Sequence, residues 1–172
     1  NIFEDYLNQK IMWMTPSALW KKYFLEKFEY LFDEELQAAQ EWEFHCRALF
    51  VSPNYVVIEN PLVYVRQHAA SISYNEETEK RRLNYYLARL KVYKFLKEKG
   101  IFNTFLTEYL ISHFKYFIKK RNYKFASKIL INQVLFNNNL LLKYRIKLLA
   151  AFFLYPIFNR GEVLFIGNPS QF

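Results

Sequence analysis

Five side chains in the first half of the chain have types and neighbours suited to chemistry. Glu41 opens an apolar-periodic stretch, where a helix N-terminus would keep its carboxylate ionised and aimed. An acidic residue there also complements the helix dipole, by about 0.3 to 1 kcal/mol. Trp13 and Trp42 are flat apolar rings on which a ligand could lie, and they would equally serve as core. Arg66 and His68 follow a β-rich run and could face developing negative charge. The alternative for His68 is a hydrogen-bonded loop running on to Ser71 and Ser73. Glu43 and Arg47 stand at i, i+4, the spacing of a structural helix ion pair worth tenths of a kcal/mol. His45 and Cys46 are adjacent and point to different faces, so they make a poor metal pair and no metal site is expected. His113, on an apolar stripe, reads as a satisfied core histidine.

Short elements must position these groups. Thr15-Pro16 reads as a helix start, and the apolar steps after it predict a helix ending near Tyr30. Phe32-Asp33-Glu34-Glu35-Leu36 is a polar turn between two apolar anchors. A second helix is predicted over Gln40 to Phe50, with Trp42, Cys46, Leu49 and Phe50 along one face. Pro53-Asn54 breaks the chain, and Tyr55 to Ile58 and Leu62 to Val65 read as two short strands. Beyond residue 76 the pattern is helical. Leu83 to Leu90 keep i, i+3, i+4, i+7 spacing and Gly100 follows a basic last turn. Phe102 to Ile118 hold one apolar face for about five turns. Phe125 to Val134 continue the pattern, and Leu140 to Tyr155 form a nearly all-round apolar helix. The expected fold is mainly α, with a short two-stranded β element and two helices in residues 1–75, then an antiparallel bundle of about four helices in residues 76–172.

Composition narrows the function. The chain has 172 residues, 52% hydrophobic and 20% aromatic, enough for a packed core. Only 3 residues are Gly, which leaves no phosphate-cradling Gly-rich loop. Asp5 and Asp33 are the only aspartates, so no D-x-D pair exists. A single cysteine, Cys46, rules out an internal disulfide and fits a cytoplasmic setting. The longest apolar run, Leu148 to Phe158, falls short of the roughly 20 residues that span a bilayer. No signal peptide is visible, and the start at Asn1 suggests a piece of something longer.

Taken in order, several motifs resemble the acceptor-side half of family 2 glycosyltransferases, inverting enzymes of the glycosyltransferase A fold. They are Thr15-Pro16-Ser17-Ala18-Leu19-Trp20, Phe32 to Leu36, Gln40-Glu41-Trp42-Glu43-Phe44 with Arg47, and Pro61-Leu62-Val63-Tyr64-Val65-Arg66-Gln67-His68, closing at Ser71 and Ser73. The resemblance covers about a third of the chain. It implies that Gln40-Glu41 matches an acidic pair whose second member, an Asp in the family, is the general base. Glu41 is one methylene longer. Such a base contributes roughly 10²- to 10⁴-fold by taking the acceptor hydroxyl proton. The resemblance further implies acceptor-binding walls from Trp13 and Trp42, Arg66 and His68 near the leaving group or metal, and Mg or Mn in the intact enzyme. The nucleotide-sugar half with its D-x-D ligands is missing, so the chain alone is expected to be inactive and to bind no cofactor. Strand edges left bare by the missing half would let the isolated piece self-associate.

Charge divides the chain. Residues 1–75 carry 6 Lys and Arg against 10 Asp and Glu, and residues 76–172 carry 18 against 6, so a net −4 is followed by a net +12. The basic clusters from Lys80 to Lys128 fit a solvated face over an aromatic core. They fit equally an anionic membrane surface, as for an enzyme peripheral to the inner membrane face acting on a lipid-linked acceptor. No nucleic-acid-binding motif is present, and nucleic acid is not an expected partner. The competing class is a non-enzymatic helical interaction or membrane-surface module.

Overall fold

The computed structural model describes residues 1–66, 79–135, 137 and 140–158. The chain is mainly helical, and it divides into two compact units, Asn1–Val92 and Tyr93–Phe172.

The first unit opens with α1 (Ile2–Leu7), which the sequence reading did not anticipate. The Asn1 side chain caps it by accepting the Phe3 N–H, and it buries Tyr6 and Leu7. A 3₁₀ turn (Thr15–Ser17) and α2 (Lys22–Leu25) stand where one helix was expected from Thr15 to Tyr30. Thr15 is not the cap, and Ala18 and Lys21 are extended, which interrupts the helix. Aromatic packing explains the break. Trp20, Phe28 and Phe32 converge on the Phe44 ring, at 5.3, 5.6 and 5.4 Å between centroids. A single straight helix could not bring rings spread over twelve positions onto one partner, and burying aromatic surface outweighs a few helical residues.

Next comes α3 (Gln40–Val51), close to its predicted bounds. The two expected strands are a correction: among the described residues no strand forms. Residues 53–66 have no regular secondary structure, and their side chains are exposed. β-rich composition alone does not make a ladder, because a lone two-stranded hairpin is marginal in water without a further strand or helix to cover one face.

The long helix α4 (Glu79–Glu98) contains the boundary between the units. It ends in a Schellman turn, with Gly100 at φ +72, the Gly100 N–H bonded to the Lys97 carbonyl and the Ile101 N–H to the Leu96 carbonyl. In the second unit, α5 (Thr104–Lys119) starts at Asn103, whose side chain accepts the Leu106 N–H at 2.9 Å. It buries Leu106, Leu110, Phe114 and Phe117 on its expected face, each worth about 1.5 to 3 kcal/mol of transfer free energy. A tight turn through Arg121 leads to α6 (Tyr123–Ile129), which packs against α5 and runs into a π-helical turn (Leu130–Leu135). The last helix, α7 (Leu142–Phe158), packs on α5 and on the π turn. His113 is buried, with Nδ1–H donating to the Tyr109 carbonyl at 2.9 Å.

Candidate functional site

The most built part of the first unit is the start of α3. The chain enters it through Leu36, a buried anchor, and through Ala39, which turns at φ 59 and accepts the Glu43 N–H at 3.0 Å. The turn before it is held on α4. Asp33 accepts the Glu35 N–H at 3.0 Å and receives the Lys91 ammonium, which also reaches Glu35 at 2.9 Å. Burial alone would raise the Asp33 carboxyl, but the Lys91 and Glu35 hydrogen bonds prevail and hold it below the usual carboxylate range. Two residues on, the Gln37 N–H donates to Asn84 Oδ1 at 3.1 Å.

Glu41 lies in the first turn of α3 and is half-buried. Among the described residues no hydrogen bond or ion pair engages its carboxylate. Its neighbours are committed. Arg47 grips Glu43 bidentately, Nε to Oε1 at 2.7 Å and Nη2 to Oε2 at 2.9 Å. The same guanidinium donates to the Tyr30 and Leu31 carbonyls, at 3.0 and 2.8 Å, and lies 4.1 Å from the Tyr30 ring centroid. The pair expected as a structural helix ion pair worth tenths of a kcal/mol is buried and also pins residues 30–31 to the helix.

Trp42 is buried, with the Arg89 guanidinium 4.4 Å from its ring centroid and its Nε1 without a hydrogen-bond partner. Trp13 is half-buried, its ring tilted against those of Tyr6 and Tyr55 at 4.4 and 5.8 Å between centroids. Tyr6 packs against Trp13 and lies within electrostatic range of Glu41. Desolvation raises its phenol pKa first, and the Glu41 charge adds to the rise. Arg66 is exposed at the end of the irregular segment 53–66. His68, with Ser71 and Ser73, lies outside the described residues. The structure thus packs Trp13 on Tyr6 and sets Trp42 beneath Arg89, and it brings neither Glu41 nor Arg66 into contact with these rings.

Sequence reasoning missed His45. It is fully buried, bonded through Nδ1 to the Tyr6 hydroxyl at 2.8 Å, and ringed by Trp13, Trp20 and Phe44. Burial lowers its pKa to about 4. The available signal was the spacing of Ile2, Phe3, Tyr6 and Leu7, an apolar helix face that needed a partner.

The donors among the described residues are not gathered for Mg or Mn. Among the described residues no three His, Cys, Asp or Glu side chains gather, and the two aspartates are spent, Asp5 on Lys10 and the N-terminus, Asp33 on Lys91. In comparisons with known proteins, no family model, curated protein or solved structure matches this chain.

Proposed function

We propose that this chain is the acceptor-side portion of an inverting glycosyltransferase of the family 2 type, acting in cell-surface polysaccharide synthesis, with Glu41 as its general base. The observation that supports this reading is the unengaged, half-buried carboxylate of Glu41 in the first turn of α3, two residues before a Glu43 that Arg47 holds bidentately. In the proposed step the acceptor hydroxyl gives its proton to Glu41 as its oxygen bonds to the anomeric carbon. The bond to the nucleoside diphosphate breaks with inversion, and the leaving group takes the electron pair. Trp13 and Trp42 supply the aromatic walls for the acceptor sugar. Arg66 and His68 belong to the leaving-group side. The donor nucleotide and any Mg or Mn are held by a part of the enzyme outside this chain, working at the cytoplasmic face of the membrane.

Two measurements test this reading. Calorimetric titration of the 172-residue chain with uridine or guanosine diphosphate and Mg is expected to show no binding, and metal-dependent binding would overturn the division of labour. In the intact enzyme, Glu41→Gln should lower transfer by roughly 10²- to 10⁴-fold. Retained turnover removes Glu41 as base.

A second reading, a helical module that binds a membrane surface without catalysis, is favoured by one observation. Residues 93–172 carry 13 Lys and Arg against 3 Asp and Glu. On that reading Glu41 is dispensable.

A further inference from the structure

The outward face of α7 is apolar where a solvated helix would be polar. At 100° per residue, Leu142, Ile146, Phe153 and Ile157 fall within about 60° of one another. They are 64, 56, 60 and 72% exposed, while Tyr144, Leu148 and Ala151 on the other side are buried. The stripe runs for about 22 Å. Lys143 and Lys147, both exposed, border it one residue further round the helix.

A second basic group lies at one end of this stripe. The Tyr123 ring is 6.3 Å from that of Phe152, the neighbour of Phe153. Arg121, Lys124 and Lys128, all exposed, flank Tyr123 or follow it along α6. From Tyr109 to Phe158 the sequence has 9 Lys and Arg and no Asp or Glu. This charge selects the occupant. A second copy of the face would bring like charges together, whereas anionic headgroups neutralise them and acyl chains accept the apolar side chains. No described helix is long and apolar enough to cross a membrane, so the helix must lie along the surface.

We infer that α7 inserts in the plane of an anionic lipid surface, with the stripe from Leu142 to Ile157 among the acyl chains and the lysines of α6 and α7 at the phosphates. This deepens the surface-binding reading by naming the element that inserts, and it is independent of the transferase reading.

The test is flotation of the 172-residue chain with vesicles of phosphatidylcholine alone or mixed with phosphatidylglycerol, at low and high salt. Binding is expected to the mixed vesicles only and to weaken as salt rises. Partitioning should fall about ten-fold or more in the double variant Phe153→Ser, Ile157→Ser, and about five-fold for Lys124→Gln. Circular dichroism checks that these variants keep their helices. As a probe that leaves the stripe apolar, Phe153→Trp should add fluorescence that brominated acyl chains quench. Absence of binding to mixed vesicles at low salt would overturn both the inference and the surface-binding reading. Salt-sensitive binding that persists in the double variant, with the Phe153→Trp signal unquenched, would overturn insertion while leaving a surface bound through lysines alone. A stable dimer in solution whose interface protects the Phe153→Trp position would also overturn it.

Discussion

The Tyr6 hydroxyl and His45 Nδ1 share a 2.8 Å hydrogen bond that ties α1 to α3 in the interior of the first unit. With its pKa lowered to about 4 by burial, His45 is neutral in the folded chain at neutral pH. Its Nε2 is buried without a partner, so protonation there meets no compensating acceptor.

Stability should therefore depend on pH in a defined direction. Unfolded, the imidazole takes a proton near 6.5, and folded it resists until about 4, so its contribution is complete above 6.5 and is lost as pH falls toward 4. The loss amounts to about 2 kcal/mol by pH 5. Denaturant midpoints between pH 7.5 and 5 should drop in the natural chain and much less in His45→Gln. Equal slopes would reject His45 as the source.

Arg47 should be among the most costly positions to change. Arg47→Met leaves the Glu43 carboxylate buried and releases the Tyr30 and Leu31 carbonyls, at about 3 to 5 kcal/mol. Lysine cannot reproduce the bidentate fork, so Arg47→Lys should recover only a minor part. Urea titration of the two variants and of Arg47→Met with Glu43→Gln measures this, and a loss below about 1 kcal/mol in Arg47→Met would contradict the buried pairing.

Glu41 should behave oppositely. Because its carboxylate is half-buried and unengaged, Glu41→Gln should change stability by no more than about 0.5 kcal/mol. Thermal unfolding checks this, and a large shift would mean that the carboxylate has a structural role.

Three helices end in the same turn, two of them without glycine. After α1, Gln9 has φ 58, with its N–H bonded to the Tyr6 carbonyl and that of Lys10 to the Asp5 carbonyl. After α5, Arg121 has φ 56, with its N–H on the Ile118 carbonyl and that of Asn122 on the Phe117 carbonyl. Arg121 is exposed, so Arg121→Gly should relieve the left-handed strain and stabilise the chain by about 1 kcal/mol. A lower melting temperature for that variant would count against the assigned geometry.

The helices of the second half were legible because their periodic apolar faces run for several turns and the stop of α4 is written in Gly100. The first half was less so. The Thr15-Pro16 start was read as a helix because local signals carry no knowledge that Trp20, Phe28 and Phe32 meet Phe44. Residues 55–65 looked like strands because side-chain type sets β preference, while pairing depends on a neighbour that a linear pattern does not specify. Arg89 over Trp42 and Lys91 on Asp33 join positions 47 and 58 apart in sequence, beyond any local spacing rule. For Glu41, its place in the first turn of α3 was legible, and the commitment of Glu43 to Arg47 was not.

The open backbone of residues 53–66 sets how this chain would behave at the bench. Its amides, lacking ladder partners, should trade hydrogen for deuterium almost as fast as those of a free peptide, while those of α5 stay protected. Storage concentration is then limited by a segment that adds little to folding free energy, and a proline placed at Val57 should lengthen shelf life without lowering the melting point.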